Sequence, residues 1–145
     1  MNVFEALRED HDIQRKLLND LVKTSGDEES RREDFETLKT ELTGHAAAEE
    51  QWFYAQLMQH EQTQDKARHS VAEHHDIDEC LEKLDETDYS SPQWLKYLKE
   101  LQHLVTHHLD EEEQEVFQVA GKVLTDNQKA DLASHYRKEM KKRRH

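Results

Sequence analysis

Apolar residues recur along this chain at intervals of three and four positions, the spacing that places side chains on one face of an α-helix. The pattern predicts four long amphipathic helices, over about residues 3–23, 31–60, 64–87 and 92–120. A fifth, short helix is expected to begin at Thr125, where the sequence TDNQ is a capping box. Because helical spacing dominates the whole chain, we expect an all-α protein.

Short polar segments separate the predicted helices. TSGDEES follows the first helix, and DYSSP precedes the fourth, with Ser91 as N-cap and Pro92 as the first helical residue. Gly121 predicts either the end of the fourth helix or a kink in it. Short connections favour an antiparallel up-down-up-down four-helix bundle, expected over residues 1–122. Residues 123–145 would then form a C-terminal helix with a basic tail, packed outside the bundle or against another chain.

The composition agrees with a helical domain and limits its partners. Among 145 residues there are three Gly and one Pro, too few for a fold with many turns. The formal net charge of −13 argues against a nucleic acid partner. Residues 137–145 contain six Lys or Arg residues. There we expect a frayed helix end whose cations complement the helix dipole. The alternative is a weak docking site for an anionic partner.

Nothing in the sequence indicates secretion or a membrane partner. Cys80 is the single cysteine, so an intrachain disulfide cannot form, and we expect a half-buried thiol. The first residues, MNVFEALRED, lack the features of a secretion signal. No apolar run approaches the roughly 18 residues of a membrane span. We therefore expect a cytoplasmic protein, either a monomer or a dimer.

Histidine is frequent, with 11 residues, and two stretches of the chain repeat one arrangement. HAAAEE at residues 45–50 and HLDEEE at residues 108–113 each place a Glu four positions after a His, followed directly by a second Glu. The two stretches lie 63 residues apart, and so do His11 and His74. The repeat predicts two related helix pairs, each carrying one His on its first helix and a His–Glu pair on its second.

The apolar face of each predicted helix separates buried from exposed histidines. On the fourth helix His108 continues the apolar face, whereas His107 falls on the solvated face. The same comparison on the third helix places His74 inward and His75 outward. The residues expected inside the bundle are His11, His45, Glu49, His74, His108 and Glu112.

Several neighbours of these residues have expected positions of their own. Trp52 lies one turn beyond Glu49 and should pack in the core, whereas Tyr54 should lie at the bundle edge. Asp78 is interpreted as an extra ligand or as an acceptor that orients a histidine. Glu50 and Glu113 are expected to face outward. The histidines expected on the surface are His60, His69, His103, His135 and His145.

Two buried carboxylates need a counter-charge, because their uncompensated burial costs several kcal/mol for each. Four histidines and two glutamates at similar heights along the helices favour a metal centre, with a satisfied hydrogen-bond network as the alternative. Imidazole and carboxylate ligands without a thiolate suit iron, manganese or zinc. Two carboxylates can also bridge a pair of metal ions, with histidines capping each ion.

These motifs resemble the hemerythrin-like HHE cation-binding domain family. The resemblance covers roughly residues 3–120, and its elements occur in the family's order: His11, HAAAEE at 45–50, Glu73–His74 and HLDEEEQEVF at 108–117. It implies a four-helix bundle that holds two non-haem iron ions joined by an oxo or hydroxo bridge. By this resemblance the four histidines are terminal ligands, and Glu49 and Glu112 bridge the two ions.

Two positions depart from the pattern of the oxygen-carrying hemerythrins. Those proteins have His-x-x-x-His on the third helix, where this chain has His74 and Asp78. They have His-x-x-x-x-Asp on the fourth helix, where this chain has His108-x-x-x-Glu112. One histidine fewer leaves a more open coordination sphere, which argues against reversible oxygen carriage.

The resemblance therefore implies a protein that binds or reduces a small ligand, namely hydrogen peroxide, oxygen or nitric oxide, in oxidative or nitrosative stress. Whether it is an enzyme stays open; an enzyme would be a di-iron oxidoreductase with catalase-like activity. The alternative is a non-catalytic module that senses or stores oxygen, iron or nitric oxide and acts through a protein partner. A structural bundle occupied by zinc is a third hypothesis.

Overall fold

The computed structural model describes residues 1–144, which form five helices and contain no strand. The first helix, α1, spans Val3–Leu21, and a reciprocal capping box of Asn2 and Glu5 closes its N-terminus. The second helix, α2, comprises Glu29–Ala48, a π-helical segment Glu49–Tyr54 and a last turn Ala55–Leu57.

The second half of the chain repeats this arrangement and adds one helix. The third helix, α3, spans Gln64–Asp85. The fourth, α4, comprises Pro92–Glu111, a π-helical segment Glu112–Val116 and Phe117–Val123. The fifth, α5, spans Asp126–Arg143. The predicted caps of α4 by Ser91 and of α5 by Thr125 are both confirmed.

Two apolar clusters are separated along the helices by a polar layer. One cluster contains Leu7 and Phe53, and the other contains Leu18 and Trp94. On α1 the buried His11 lies between Leu7 and Leu18, so a layer of polar side chains divides the core. Each of the first four helices therefore contributes apolar side chains to both clusters and polar ones to the layer between them.

The C-terminal helix is neither short nor peripheral, which corrects the expectation from the sequence. At 18 residues, α5 is nearly as long as α1, and it packs against both α1 and α2. It buries Leu132, Ala133, Tyr136 and Met140 in the same apolar cluster as Leu7. The sequence pattern does not indicate that α5 is buried, because two of its four buried positions carry a small or a hydroxylated side chain, Ala133 and Tyr136.

The basic end of α5 is anchored, so the expected frayed end is also wrong for the described residues. Arg144 bonds Glu41 through two nitrogens, at 2.6 and 2.9 Å, and Asp10 at 2.8 Å. Arg144 therefore ties the end of α5 to α1 and α2 through charge-assisted hydrogen bonds. His145 lies outside the described residues.

Gly121 does not end the fourth helix, which continues to Val123. A Cβ atom at residue 121 would lie 4.0 Å from the Phe4 ring, an ordinary van der Waals distance, so packing does not require glycine at this position. The helix ends instead where Leu124 adopts an extended conformation before the Thr125 cap.

The two π-helical segments change which side chains face inward. A π turn contains one residue more than an α turn, so every later side chain rotates around the helix axis. After Glu49 the buried residues are Phe53 and Tyr54, while Trp52 is half-buried and stacks on His135 with ring centroids 4.3 Å apart. The expected edge position of Tyr54 is therefore wrong, because the prediction assumed an uninterrupted α-helix.

Cys80 is a free and buried thiol whose Sγ lies 3.4 Å from the carbonyl oxygen of Tyr97. Burial raises the pKa of this thiol to about 11, so it stays protonated near neutral pH. Within the described residues, no helix combines the length and the hydrophobicity that a membrane span requires.

The rotated register can be tested with two adjacent substitutions. We expect Phe53→Ala to lower the free energy of unfolding by about 3–5 kcal/mol, because it removes a fully buried ring. Trp52→Ala should cost about 1 kcal/mol, because its ring lies partly at the surface. Urea unfolding followed by circular dichroism, at matched metal content, measures both values. The opposite order would contradict the placement of the π segment.

Candidate metal centre

The four histidines and two glutamates predicted to be buried all lie in the polar layer between the apolar clusters. Each of these six residues is at most 5% exposed. The rings of His11 and His45 form one pair, with centroids 5.1 Å apart, and those of His74 and His108 form a second pair at 4.7 Å. Each pair joins neighbouring helices, α1 with α2 and α3 with α4.

Each buried glutamate approaches one histidine of each pair. Glu49 Oε1 lies 3.4 Å from His45 Nε2 and 3.2 Å from His74 Nε2. Glu112 Oε1 lies 3.1 Å from His11 Nε2, and its Oε2 lies 3.6 Å from His108 Nε2. The two carboxylates therefore span the space between the histidine pairs, which is the arrangement that bridging ligands require.

The inward-facing polar atoms of this layer lack hydrogen-bond partners. These atoms are the Nε2 nitrogens of the four histidines, both carboxylate oxygens of Glu49 and Oε1 of Glu112. They lie close to one another but not in hydrogen-bond geometry. Buried polar atoms are almost always paired, so several that converge on one region indicate ligand atoms.

The outer nitrogen of every one of these histidines is held by a polar neighbour. The Nδ1 contacts are His11 to Glu113 at 2.7 Å, His45 to Tyr136 at 2.5 Å, His74 to Glu50 at 3.1 Å and His108 to Glu73 at 2.8 Å. When each Nδ1–H donates to the neighbouring carboxylate or phenol oxygen, Nε2 is the nitrogen that faces the centre and can bind a cation once it carries no proton. Such outer partners orient histidine ligands and set their tautomer.

Glu50 and Glu113 therefore do not face outward as expected. Glu113 on α4 accepts from His11 on α1 and from Arg15, at 3.0 and 3.1 Å. Burial raises the pKa of Glu113, but its contacts with His11 and Arg15 outweigh this effect and lower the pKa to about 2. The pattern along one helix could not show these bonds, because the partner of each glutamate lies on another helix.

The fifth helix supplies the partner that His45 would otherwise lack. The Tyr136 hydroxyl donates to Asp10 Oδ2 at 2.6 Å, and its oxygen then accepts from His45. Asp10 lies 63 residues before Glu73, which contacts His108 directly. The shorter aspartate thus reaches its histidine through a tyrosine, a role that the sequence analysis did not detect.

Tyr54 lies at the centre and not at the bundle edge, where the sequence pattern placed it. Its ring is 1% exposed, and its hydroxyl donates to Glu112 Oε2. Burial and the neighbouring carboxylates of Glu112 and Glu49 raise the pKa of Tyr54 well above its ordinary value. The phenol is therefore protonated near neutral pH and carries a proton within the centre.

Opposing effects set the ionisation of the centre in the metal-free protein. Burial lowers the pKa of His11, but contacts with Glu112 and Glu113 outweigh it and raise the pKa from 6.5 to about 9. His74 responds in the same way to burial and to Glu49 and Glu50, and its pKa rises to about 10. Burial and the neighbouring Glu49 raise the pKa of Glu112. The metal-free centre thus holds protons that a cation would displace.

The other polar candidates lie away from this centre. Asp78 is exposed and belongs to none of the groups of described residues that could hold a metal ion. Of the histidines expected at the surface, His69, His103 and His135 are exposed, and His60 is half-buried. His75 and His107 are exposed as the apolar pattern predicted.

The six buried residues fit a metal centre in both chemistry and spacing. Ligand atoms around one ion lie about 3.0 to 3.4 Å apart when the metal–ligand bonds are about 2.1 Å long. The nitrogen–oxygen separations of 3.1 to 3.6 Å in this layer are close to that range. Imidazole nitrogen and carboxylate oxygen are suitable ligands for iron, manganese and zinc.

Comparison with known proteins agrees with this geometry. The sequence profile of the Hemerythrin HHE cation binding domain matches residues 2–120. The fold is similar to the crystal structure of a Hemerythrin HHE cation binding domain-containing protein from Mycobacterium kansasii, with a TM-score of 0.90. That protein is 24% identical in sequence, and the alignment covers 99% of this chain and 88% of the other. No curated protein gives a significant match.

The structural likeness establishes a hemerythrin-like helical fold, and the profile match extends over most of the chain. The matched region includes all six buried ligand-type residues. The chain is a metal-binding protein that belongs to the hemerythrin HHE cation binding domain family.

Proposed function

We propose that this protein binds two non-haem iron ions and uses them to bind or reduce a small ligand, namely hydrogen peroxide, oxygen or nitric oxide. One observation carries the proposal: each of the two carboxylates, Glu49 and Glu112, lies near one histidine of the first pair and one histidine of the second pair. His11 and His45 would hold one ion and His74 and His108 the other, with the two carboxylates shared between them.

The ligand set also supports an open coordination sphere. Two histidines and a share of two carboxylates do not fill the six positions common for iron, and the exposed Asp78 lies outside the groups of described residues that could hold an ion. A free metal position is what a reactive small ligand requires. Bound iron would supply Lewis-acid activation and, by cycling between ferrous and ferric states, electrons for reduction.

The burial of the centre restricts the size of the ligand. The six residues are at most 5% exposed, and apolar clusters lie on both sides of them. A large organic substrate could not reach the Nε2 atoms without displacing core side chains, whereas a diatomic molecule or peroxide is small enough. The surrounding apolar side chains also exclude bulk water from the reacting ligand.

Tyr54 is the residue best placed to supply a proton to that ligand. Its protonated hydroxyl donates to Glu112, and its ring lies against the imidazole of His74 on α3. General acids of this kind contribute about 10²- to 10⁴-fold to rate. A proton donor inside the centre supports reduction of peroxide, and hence catalase-like activity, over simple ligand binding.

One observation favours the alternative, a sensing or storage module that acts through a protein partner. Tyr136 of α5 contacts His45 directly, so a change at the centre reaches a helix near the C-terminus. The outer side of α5 carries exposed cations that a partner could contact. The antiparallel bundle over residues 1–122, the boundary there and the cytoplasmic location remain predictions within this proposal.

Substitution of the proposed ligands should lower the iron content. We expect His45→Ala and Glu112→Ala to reduce iron affinity by at least about tenfold, because each removes a ligand atom. His75→Ala is the matched control, since His75 is exposed and forms an ion pair with Glu79 on its own helix. Elemental analysis after expression in iron-replete medium gives iron per chain. Wild-type protein without iron would refute the proposal, and equal loss in the control would refute the ligand assignment.

Peroxide turnover separates the enzyme from the sensor. We expect the iron-loaded protein to release one oxygen molecule for every two peroxide molecules, measured with an oxygen electrode. Tyr54→Phe should retain iron and lower this rate by about 100-fold, because it removes the proposed proton donor. Tyr97→Phe, which alters a half-buried tyrosine in the other apolar cluster, is the control. Absence of oxygen release by iron-loaded wild type would favour the sensing module.

Metal binding should release protons and strengthen with rising pH. At pH 7 the pKa values of about 9 for His11 and about 10 for His74 keep both rings protonated in the metal-free protein. Both folded pKa values exceed the ordinary 6.5, so their stabilisation of the metal-free protein is complete below pH 6.5 and is lost as the pH rises through 9 to 10. Calorimetry of Zn²⁺ binding in buffers of different ionisation enthalpy counts the protons, and no release at pH 7 would contradict this assignment.

A further inference from the structure

A second cluster of ligand-type side chains lies on the surface shared by α3 and α4, and we name it the outer cluster. It consists of His69, Glu73, His107 and Glu111. His69 Nε2 lies 2.9 Å from Glu111 and 3.4 Å from Glu73, and His107 Nε2 lies 3.0 Å from Glu111 and 3.7 Å from Glu73. Ligand atoms of His69, Glu73 and Glu111 all lie within 4.8 Å of one another.

The outer cluster is built from the same sequence unit as the buried centre. His69 and Glu73 are spaced by four residues on α3, as are His107 and Glu111 on α4, and the two pairs face each other. His75 and Glu79 have the same spacing and lie 2.9 Å apart, but both side chains are more than 60% exposed. A single pair of this kind is an ordinary surface contact. Two converging pairs offer four ligands.

The Glu73 carboxylate is oriented by a hydrogen bond from the buried His108, so its other oxygen is already directed toward the outer cluster. Its Oε1 accepts from His108 Nδ1 at 2.8 Å, while its Oε2 faces His69 and His107. The Glu73 side chain is 15% exposed, so little conformational freedom remains to be lost on binding. The His69 and His107 side chains are 57% and 63% exposed, and a cation can reach them from solvent.

The first half of the chain has no equivalent of the outer cluster at the corresponding positions. Sixty-three residues before His69, His107 and Glu111 stand Ala6, Gly44 and Ala48. These small residues are buried, and helix α5 packs in the same region of α1 and α2. A Cβ atom at Gly44 would lie 3.4 Å from Arg143 of that helix. One groove is closed by protein, whereas the other presents imidazoles and carboxylates to solvent.

We propose that the outer cluster is a separate binding site for one divalent first-row cation, such as Zn²⁺ or Fe²⁺. His69, Glu73 and Glu111 supply ligands, and His107 completes the set from the second helix. Tetrahedral coordination at about 2.1 Å places ligand atoms about 3.4 Å apart, and the four nitrogen–oxygen separations of 2.9 to 3.7 Å surround this value. The ligand types, imidazole and carboxylate without thiolate, suit these cations.

Zinc titration of the metal-loaded protein tests the outer site. The protein is treated with a weak chelator to remove labile metal, desalted and titrated with Zn²⁺ in a calorimeter. We expect one further Zn²⁺ per chain in the wild type. The double variant His69→Ala/His107→Ala should bind it at least about tenfold more weakly, since even the loss of an outer partner of a ligand costs that much. Glu111→Gln, which preserves side-chain size, should weaken binding in the same direction.

His75→Ala is the matched control, and it should bind the further Zn²⁺ as the wild type does. The inference is overturned if the wild type binds no further Zn²⁺, if the double variant binds it unchanged, or if His75→Ala loses it equally. The measurement counts zinc bound in addition to the tightly held metal. Zinc bound at a buried centre left empty would be counted in the wild type and in the double variant alike, so the difference between the two proteins reports on the outer cluster.

Discussion

Burial of two carboxylates in a helical core is the constraint on which the rest of the structure depends. Glu49 and Glu112 have essentially no contact with solvent, and a bound cation is the counter-charge that four surrounding imidazoles can hold. Each imidazole uses Nε2 inward and therefore needs an acceptor for Nδ1–H. The outer acceptors extend the polar layer to the protein surface, and the apolar clusters on either side keep the layer in place.

The two related halves of the chain provide the acceptor for a histidine Nδ1–H in different ways. In the second half Glu73 accepts from His108 directly, whereas in the first half Asp10 acts through Tyr136 of the fifth helix. The centre itself is asymmetric too, since Tyr54 stands 63 residues before Phe117 and only the tyrosine brings a hydroxyl to Glu112. The two halves of the chain therefore differ in two respects. Only the first half brings a tyrosine hydroxyl to Glu112, and only its side of the centre is covered by the fifth helix.

Most of the helices and all six buried ligand-type residues could be predicted, because both depend on periodicity within a single helix. His108 and His107 are adjacent in sequence, and the apolar pattern of α4 alone separates the buried from the exposed one. The positions of Tyr54, Trp52, Glu50 and Glu113 could not be predicted in this way. The first two follow from the π turn that begins at Glu49, and the others from bonds to histidines on neighbouring helices.

The sequence by itself determined an all-helical chain with a repeated His–Glu unit, because helical periodicity and ligand spacing are local properties. Only the tertiary structure decided that the fifth helix belongs to the core, that Tyr136 completes the support of His45, and that Arg144 anchors the C-terminal end. These contacts join residues more than 90 positions apart, so no local pattern encodes them. A hydrogen bond between distant side chains exists only after the helices have packed, and packing selects among the many polar residues that each helix offers.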